Sequence, residues 1–165
     1  MCVPWYTCSI LAIFYSISSA MTPAWLLIND RLNTRGILLR KHWHLDSGYN
    51  CALCALKPLE TYTHLFWCYD FSISCWDFLG IHWDLNLEVR DRLSLATINF
   101  AGPCFWEIFT LASWNIWKER NDYIFNNLDP SLDRWKARFK LDVQLHLYRV
   151  KSSLVHPLSL PGWTI

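Results

Sequence analysis

Residues 51–68 read CALCALKPLETYTHLFWC, and the reading of Cys51, Cys54, His64 and Cys68 within this stretch decides the fold. Two cysteines separated by two residues suit a tight turn that carries both sulfurs to one point. His64 and Cys68 lie four apart, so on an α-helix they share a face, one turn from each other. Three sulfurs and one imidazole nitrogen close a tetrahedral Zn2+ site and leave no position for water or substrate. The spacing therefore predicts one structural zinc and argues against zinc catalysis. The competing reading is metal-free, because cysteines often act as plain buried hydrophobes and a histidine on an apolar helix is often a core residue. Two ligand pairs, each at a compatible spacing, favour the metal.

Working outward, Glu60 to about Gly80 carries a helical pattern in which Cys75 continues the line of His64 and Cys68. Asp46 to Asn50 is a turn cluster leading into Cys51, and Lys57-Pro58 closes the loop after Cys54. Thr34 is placed to cap a short helix from Arg35 to about His42, and Thr22-Pro23 reads as a cap and first position of the helix before it. Residues 83–101 fit a connector or a short helix. Pro103 opens a long helix to about Asn126, with Phe105, Ile108, Ala112 and Ile116 forming one apolar stripe. Asp129-Pro130 opens another to about Lys151, along which Trp135, Phe139, Val143, Leu147 and Val150 form a docking face. The expected fold is mainly α, a small zinc-stabilised helical domain followed by two long C-terminal helices. Its expected divisions are an N-terminal segment 1–22, the zinc-binding part 23–100, a helical extension 101–151 and a tail 152–165.

Composition narrows the class. Hydrophobic residues make up 53% of the 165 and charged residues 18%, which supplies a core and excludes a disordered chain. Eleven tryptophans are unusual, and rings of that size with an N–H to satisfy are expected to meet a partner or each other. A net charge of +1 exerts no global pull on nucleic acid. Seven cysteines, an odd number at metal-like spacing, fit a reducing intracellular compartment, nucleus or cytoplasm, with Cys2, Cys8, Cys75 and Cys104 as spare thiols. A secreted disulfide protein is the lesser alternative. Ser9 to Tyr15 is apolar and Ser18-Ser19-Ala20 resembles a cleavage site, but no Lys or Arg precedes Arg31, and the run is too short to span a bilayer.

No enzyme site assembles from these residues. Two-metal phosphoryl chemistry needs clustered carboxylates, and Asp30, Asp46, Asp70, Asp77 and Asp84 are scattered. Cys75 or Cys104 with His82 lacks an orienting group. Two basic runs invite nucleic acid: Arg31, Arg35, Arg40 and Lys41, with His42 and His44 beside them, and Arg134, Lys136, Arg138 and Lys140 interleaved with Trp135 and Phe139. For Trp135 and Phe139 the docked stripe is the better explanation. His42-x-His44 also has the form of a ligand pair, although a polar loop explains it as well.

NDRLNTRGILLRKHWHLDSGYNCALC at 29–54, followed by ETYTHLFWCYDFSISCWDFLGIHW at 60–83, resembles the zinc-binding domain that follows the reverse transcriptase of plant non-LTR retrotransposons. The marks are the RLNTR junction, the CALC pair, the E-x3-HLF-x-C helix and Trp76. SWNIWKERNDYIF at 113–125, with its W-x2-W-K-x-R-N pattern, resembles the helix that follows in the same proteins. The resemblance covers about residues 24–126 and implies Cys51, Cys54, His64 and Cys68 as ligands of one structural Zn2+. It also implies a non-catalytic role in holding RNA or DNA, and reverse transcriptase or RNase H-like domains as partners absent from this chain, with no membrane involved. Residues 1–22 depart from the family pattern, and the aspartate pair of a polymerase is missing. The alternative is a detached interaction piece whose tryptophan-rich faces once packed on those neighbours.

Overall fold

The computed structural model describes residues 21–102 and 104–149, and it is mainly helical as expected. In chain order come α1 (Met21–Ile28), α2 (Arg35–Arg40), a π-helical turn (His64–Cys68), α3 (Asp70–Phe78), α4 (Val89–Asn99), α5 (Phe105–Asn126) and α6 (Leu132–Arg149). The described residues contain no strand, only an isolated antiparallel bridge between Asn50 and Leu59.

Helix ends follow local chemistry, with some shifts from expectation. Thr34 caps α2 as expected, its hydroxyl accepting from the Ile37 N–H. Gly80, at φ +67°, ends α3 in a Schellman turn: its N–H donates to Asp77 O, and the Ile81 N–H reaches back to Trp76 O. The ambiguous stretch 83–101 contains the helix α4. The Asp129-Pro130 start is displaced, since α6 begins at Leu132 and Ser131 caps it by accepting from the Arg134 N–H. Helix α5 begins at Phe105 after Cys104 in a left-handed conformation; Pro103 lies outside the described residues. So do the side chains of Thr22 and Pro23, Cys2 and Cys8, the Ser18–Ala20 segment, Val150 and the tail.

Helix α5 is the axis of the molecule, with α1, α3 and α6 packed around it. The expected stripe holds, as Phe105, Ile108, Ala112 and Ile116 are all buried. Trp76 of α3 stacks on Phe109, and Trp135 of α6 stacks on Phe139. Trp135 and Phe139 are fully buried, so the apolar positions of the second basic run belong to the core. The core is continuous from Leu27 through Trp67 and Trp76 to Val143, and it unites residues on both sides of position 100. Of the described tryptophans, Trp67, Trp76 and Trp135 are buried, while Trp25, Trp43 and Trp106 are exposed.

Gly36 marks the tightest backbone approach. Its N–H donates to Glu60 O at 2.9 Å, and a Cβ added there would sit 2.9 Å from the same carbonyl. Gly36→Ala should therefore cost about 1–3 kcal/mol by overpacking, read as a lower urea midpoint with unchanged slope.

Candidate metal centre

The loop between α2 and the π turn is folded by its own backbone. The Cys51 N–H donates to Pro58 O at 2.6 Å, the Lys57 N–H donates to Cys54 O at 3.2 Å, and the Asn50–Leu59 bridge closes the base. Lys57 adopts φ +45° to complete the reversal that Pro58 terminates. This brings Cys51 and Cys54 to one end of the loop, opposite the first residue of the π turn. There the Cys51 and Cys54 sulfurs and a ring nitrogen of His64 all lie within 4.8 Å of one another, and Cys54 Sγ is 3.1 Å from His64 Nε2.

Bonds of about 2.3 Å to sulfur and about 2.0 Å to nitrogen at tetrahedral angles set ligand atoms about 3.5–3.8 Å apart. Two thiols and an imidazole at the observed separations fit that requirement with small adjustment. Charge points the same way. Burial, then the hydrogen bond to Cys51 and the negative charge of Cys51, Asp70 and Glu60, push the Cys54 thiol up to about 12. A cation reverses these influences by stabilising the thiolate. Burial outweighs the upward pull of Glu60 and Asp70 on His64 and lowers its pKa, which keeps the imidazole neutral, as a metal ligand must be.

Cys68 departs from the expectation. It is exposed and lies outside the three-residue cluster. The spacing argument assumed an α-helix, but residues 64–68 wind as a wider π turn with i→i+5 closure, which changes the angular offset between positions four apart. Tyr69 then turns extended, so the helix expected from Glu60 to Gly80 is broken in two, and Cys75 faces the core on α3. Ser72 Oγ donates to Leu65 O and Trp76 Nε1 to Phe66 O, which fastens the π turn to α3 through carbonyls an α-helix would use itself.

A residue that spacing did not single out governs this region. Glu60 is fully buried, and its Oε1 accepts from the Arg35 N–H at 2.9 Å, at the N-terminus of α2, and from Arg120 Nη2 of α5 at 2.5 Å. Its backbone bonds to Tyr49 and Gly36. Arg120 lies over the Trp117 ring and donates to Asn121 Oδ1. One carboxylate thus joins α2, the metal loop and α5. Glu60 is the acidic member of E-x3-HLF-x-C and Arg120 the arginine of W-x2-W-K-x-R-N, so the available signal was the presence of both patterns in one chain.

No known protein-family model, curated protein or solved structure matches this chain.

The basic runs divide. Arg134 and Arg138 both bind the fully buried Glu119, Arg138 also holds Asp122 at 2.6 Å, and Lys136 sits over the Phe78 ring. That run is a fastening between α5 and α6, and of its four cations Lys140 alone is exposed, with no ion pair among the described residues. In the first run, Arg35 is half-buried and donates to Asn50 O. Arg31, Arg40 and Lys41 are exposed: Arg31 lies over Trp25, Arg40 pairs with Asp30, and Lys41 donates to Asn33. His42 and His44 are exposed too, with His44 3.2 Å from Asp46 and neither in the metal cluster. Cys75 is buried and His82 exposed beside Asp77, and burial pushes the Cys104 thiol up to about 11; among the described residues neither cysteine is hydrogen-bonded to His82.

The α5–α6 fastening carries a pH dependence. The hydrogen bond from Arg138 holds the Asp122 carboxyl below its ordinary value of 3.8. A depressed carboxylate pKa contributes stability above the unfolded value, which is lost as pH falls through the folded one. Asp122→Asn should thus be less stable than the parent at pH 6, and in urea unfolding the gap should narrow as pH falls through and below the ordinary carboxylate value of 3.8. A gap that stays constant with pH would remove the charge from the explanation.

Proposed function

We propose that this chain is a non-catalytic, structural zinc module of the reverse-transcriptase zinc-binding type, which assists in holding RNA or DNA. The observation that carries it is the convergence of Cys51, Cys54 and His64. Bound there, Zn2+ supplies folding free energy, tying the 50–59 loop to the π turn and hence to the core. Cys68 is the proposed fourth ligand, since it closes the turn that His64 opens. The exposed cations Arg31, Arg40 and Lys41 beside exposed Trp25 and Trp43 are the surface proposed for nucleic acid.

Native mass spectrometry of the full chain tests the first part, with one zinc per chain expected. Cys68→Ser should weaken zinc retention, and Co2+ substitution should lose sulfur-to-metal charge-transfer intensity. Unchanged retention and intensity would leave a site with three protein ligands. The nucleic-acid part is tested by anisotropy with labelled RNA and DNA, where affinity should fall as salt rises. No salt-dependent binding would favour the second reading, a detached interaction fragment. The specific support for that reading is the exposure of Trp43 (63%) and Trp25 (53%). Among the described residues no helix is long and apolar enough to cross a membrane.

A further inference from the structure

Four buried side-chain polar atoms lack a hydrogen-bond partner among the described residues, and three belong to touching side chains: Trp67 Nε1, Trp83 Nε1 and Arg92 Nη1. The Trp67 and Trp83 rings meet edge to face with centroids 6.0 Å apart, and the Arg92 guanidinium lies 5.1 Å from the Trp67 ring centre. Trp67 is 2% exposed and Arg92 4%.

All three orphans are N–H groups that only donate, so what they lack is an acceptor. Arg92 also lacks a counter-charge. Its Nε and Nη2 donate to the carbonyls of Asp84, Leu85 and Leu87, and among the described residues no carboxylate pairs with it. The other buried arginine, Arg120, has Glu60. A buried cation satisfied by carbonyl dipoles alone is costly, and native folds leave few buried donors unmatched. Two unmatched indole donors on rings packed beside one uncompensated positive charge call for a negatively charged acceptor. The neighbouring carboxylates, on Glu88 and Asp91, are exposed and form no ion pair with Arg92 among the described residues, and that of Asp84 is engaged by the backbone and side chain of Asn86. Residues 84–86 are exposed and Trp83 half-buried, and Arg92 donates to the Asp84 and Leu85 carbonyls, so the site lies directly beneath a surface loop.

We propose that Arg92, Trp67 and Trp83 form a binding site for a small inorganic anion, held between the π turn and the start of α4. The site is independent of the metal reading. The anion replaces the missing counter-charge and ties the 84–87 loop to Trp67.

Thermal unfolding of the full chain, at constant ionic strength in a bulky organic-anion background, tests the site with chloride, nitrate, sulfate and phosphate as separate probes. At least one should raise Tm along a saturating curve, by about 5–10 °C at a hundredfold excess over Kd. General salting effects rise without saturating and do not depend on a single side chain. Trp67→Phe removes the N–H together with the five-membered ring and leaves a small void in the core, so its anion curve is read against its own anion-free Tm, and the midpoint of that curve should shift several-fold upward. Arg92→Lys, which keeps a charge but loses the planar fork, should shift it further. If no probe saturates, or the curve is the same in Trp67→Phe as in the parent, the proposal is overturned and the three donors are hydrated instead.

Discussion

Cys54→Ser should abolish retention of zinc and, with it, a large part of the helical circular dichroism. The Cys54 sulfur lies 3.1 Å from His64 Nε2 and within 4.8 Å of the Cys51 sulfur. A serine hydroxyl is close in size but has neither the softness nor the ready ionisation of a thiol, so of the three clustered ligands only Cys51 and His64 remain, with the proposed Cys68 as the third. Structural zinc contributes about 10–16 kcal/mol of apparent binding free energy in small zinc-folded peptides. That is as large as the whole stability of about 5–15 kcal/mol expected of a domain this size. The loss should be graded along the chain. The 50–59 loop has a single isolated bridge and few internal bonds, so it should open first. Helices α5 and α6, joined by Trp135, Phe139 and the Glu119 network, should retain the most protection from hydrogen exchange. A chelator should reproduce the variant in the parent protein. A parent that is metal-free as purified, takes up no zinc and unfolds at the same temperature with chelator would sink the metal reading.

The parts that were legible in sequence are those set by one local rule. Helical periodicity placed the buried stripe of α5 and the buried Trp135 and Phe139 because each is a consequence of one element against one core. Thr34 was readable as a cap because capping depends on three residues in a row. Cys51, Cys54 and His64 were readable because a short loop limits where their side chains can go. Legibility ended where partners come from distant segments. Nothing near Arg134 or Arg138 in sequence says that their carboxylate is Glu119, so an α5–α6 fastening looked like a surface for phosphate. The π turn at 64–68 was hidden for a different reason: the Leu65 and Phe66 carbonyls accept from Ser72 and Trp76 of α3, contacts that exist only once α3 has docked. The acidic end of Glu60 was hidden in the same way, sixty residues from the arginine it needs.

That separation makes Glu60 the place for the second large effect. Glu60→Ala should destabilise the protein by about 3–5 kcal/mol, the cost of leaving one member of a buried ion pair without its partner. Arg120, 5% exposed and oriented by Trp117 and Asn121, has no second carboxylate on hand among the described residues. The Arg35 N–H at the start of α2 loses its acceptor as well. Removing both charges should hurt less than removing one. A Glu60→Gln/Arg120→Met double variant should recover part of the loss, and the cycle should return a coupling energy of about 1–3 kcal/mol. The exposed Arg40–Asp30 pair is the internal control, since breaking it should cost less than about 1 kcal/mol. Because the Glu60 backbone also holds Gly36 and Tyr49 beside the metal loop, Glu60→Ala should weaken zinc retention without altering a ligand. Equal effects of Glu60→Ala and Asp30→Ala in urea would mean that Glu60 is hydrated in solution, and the coupling between metal loop and α5 would then have to run through packing alone.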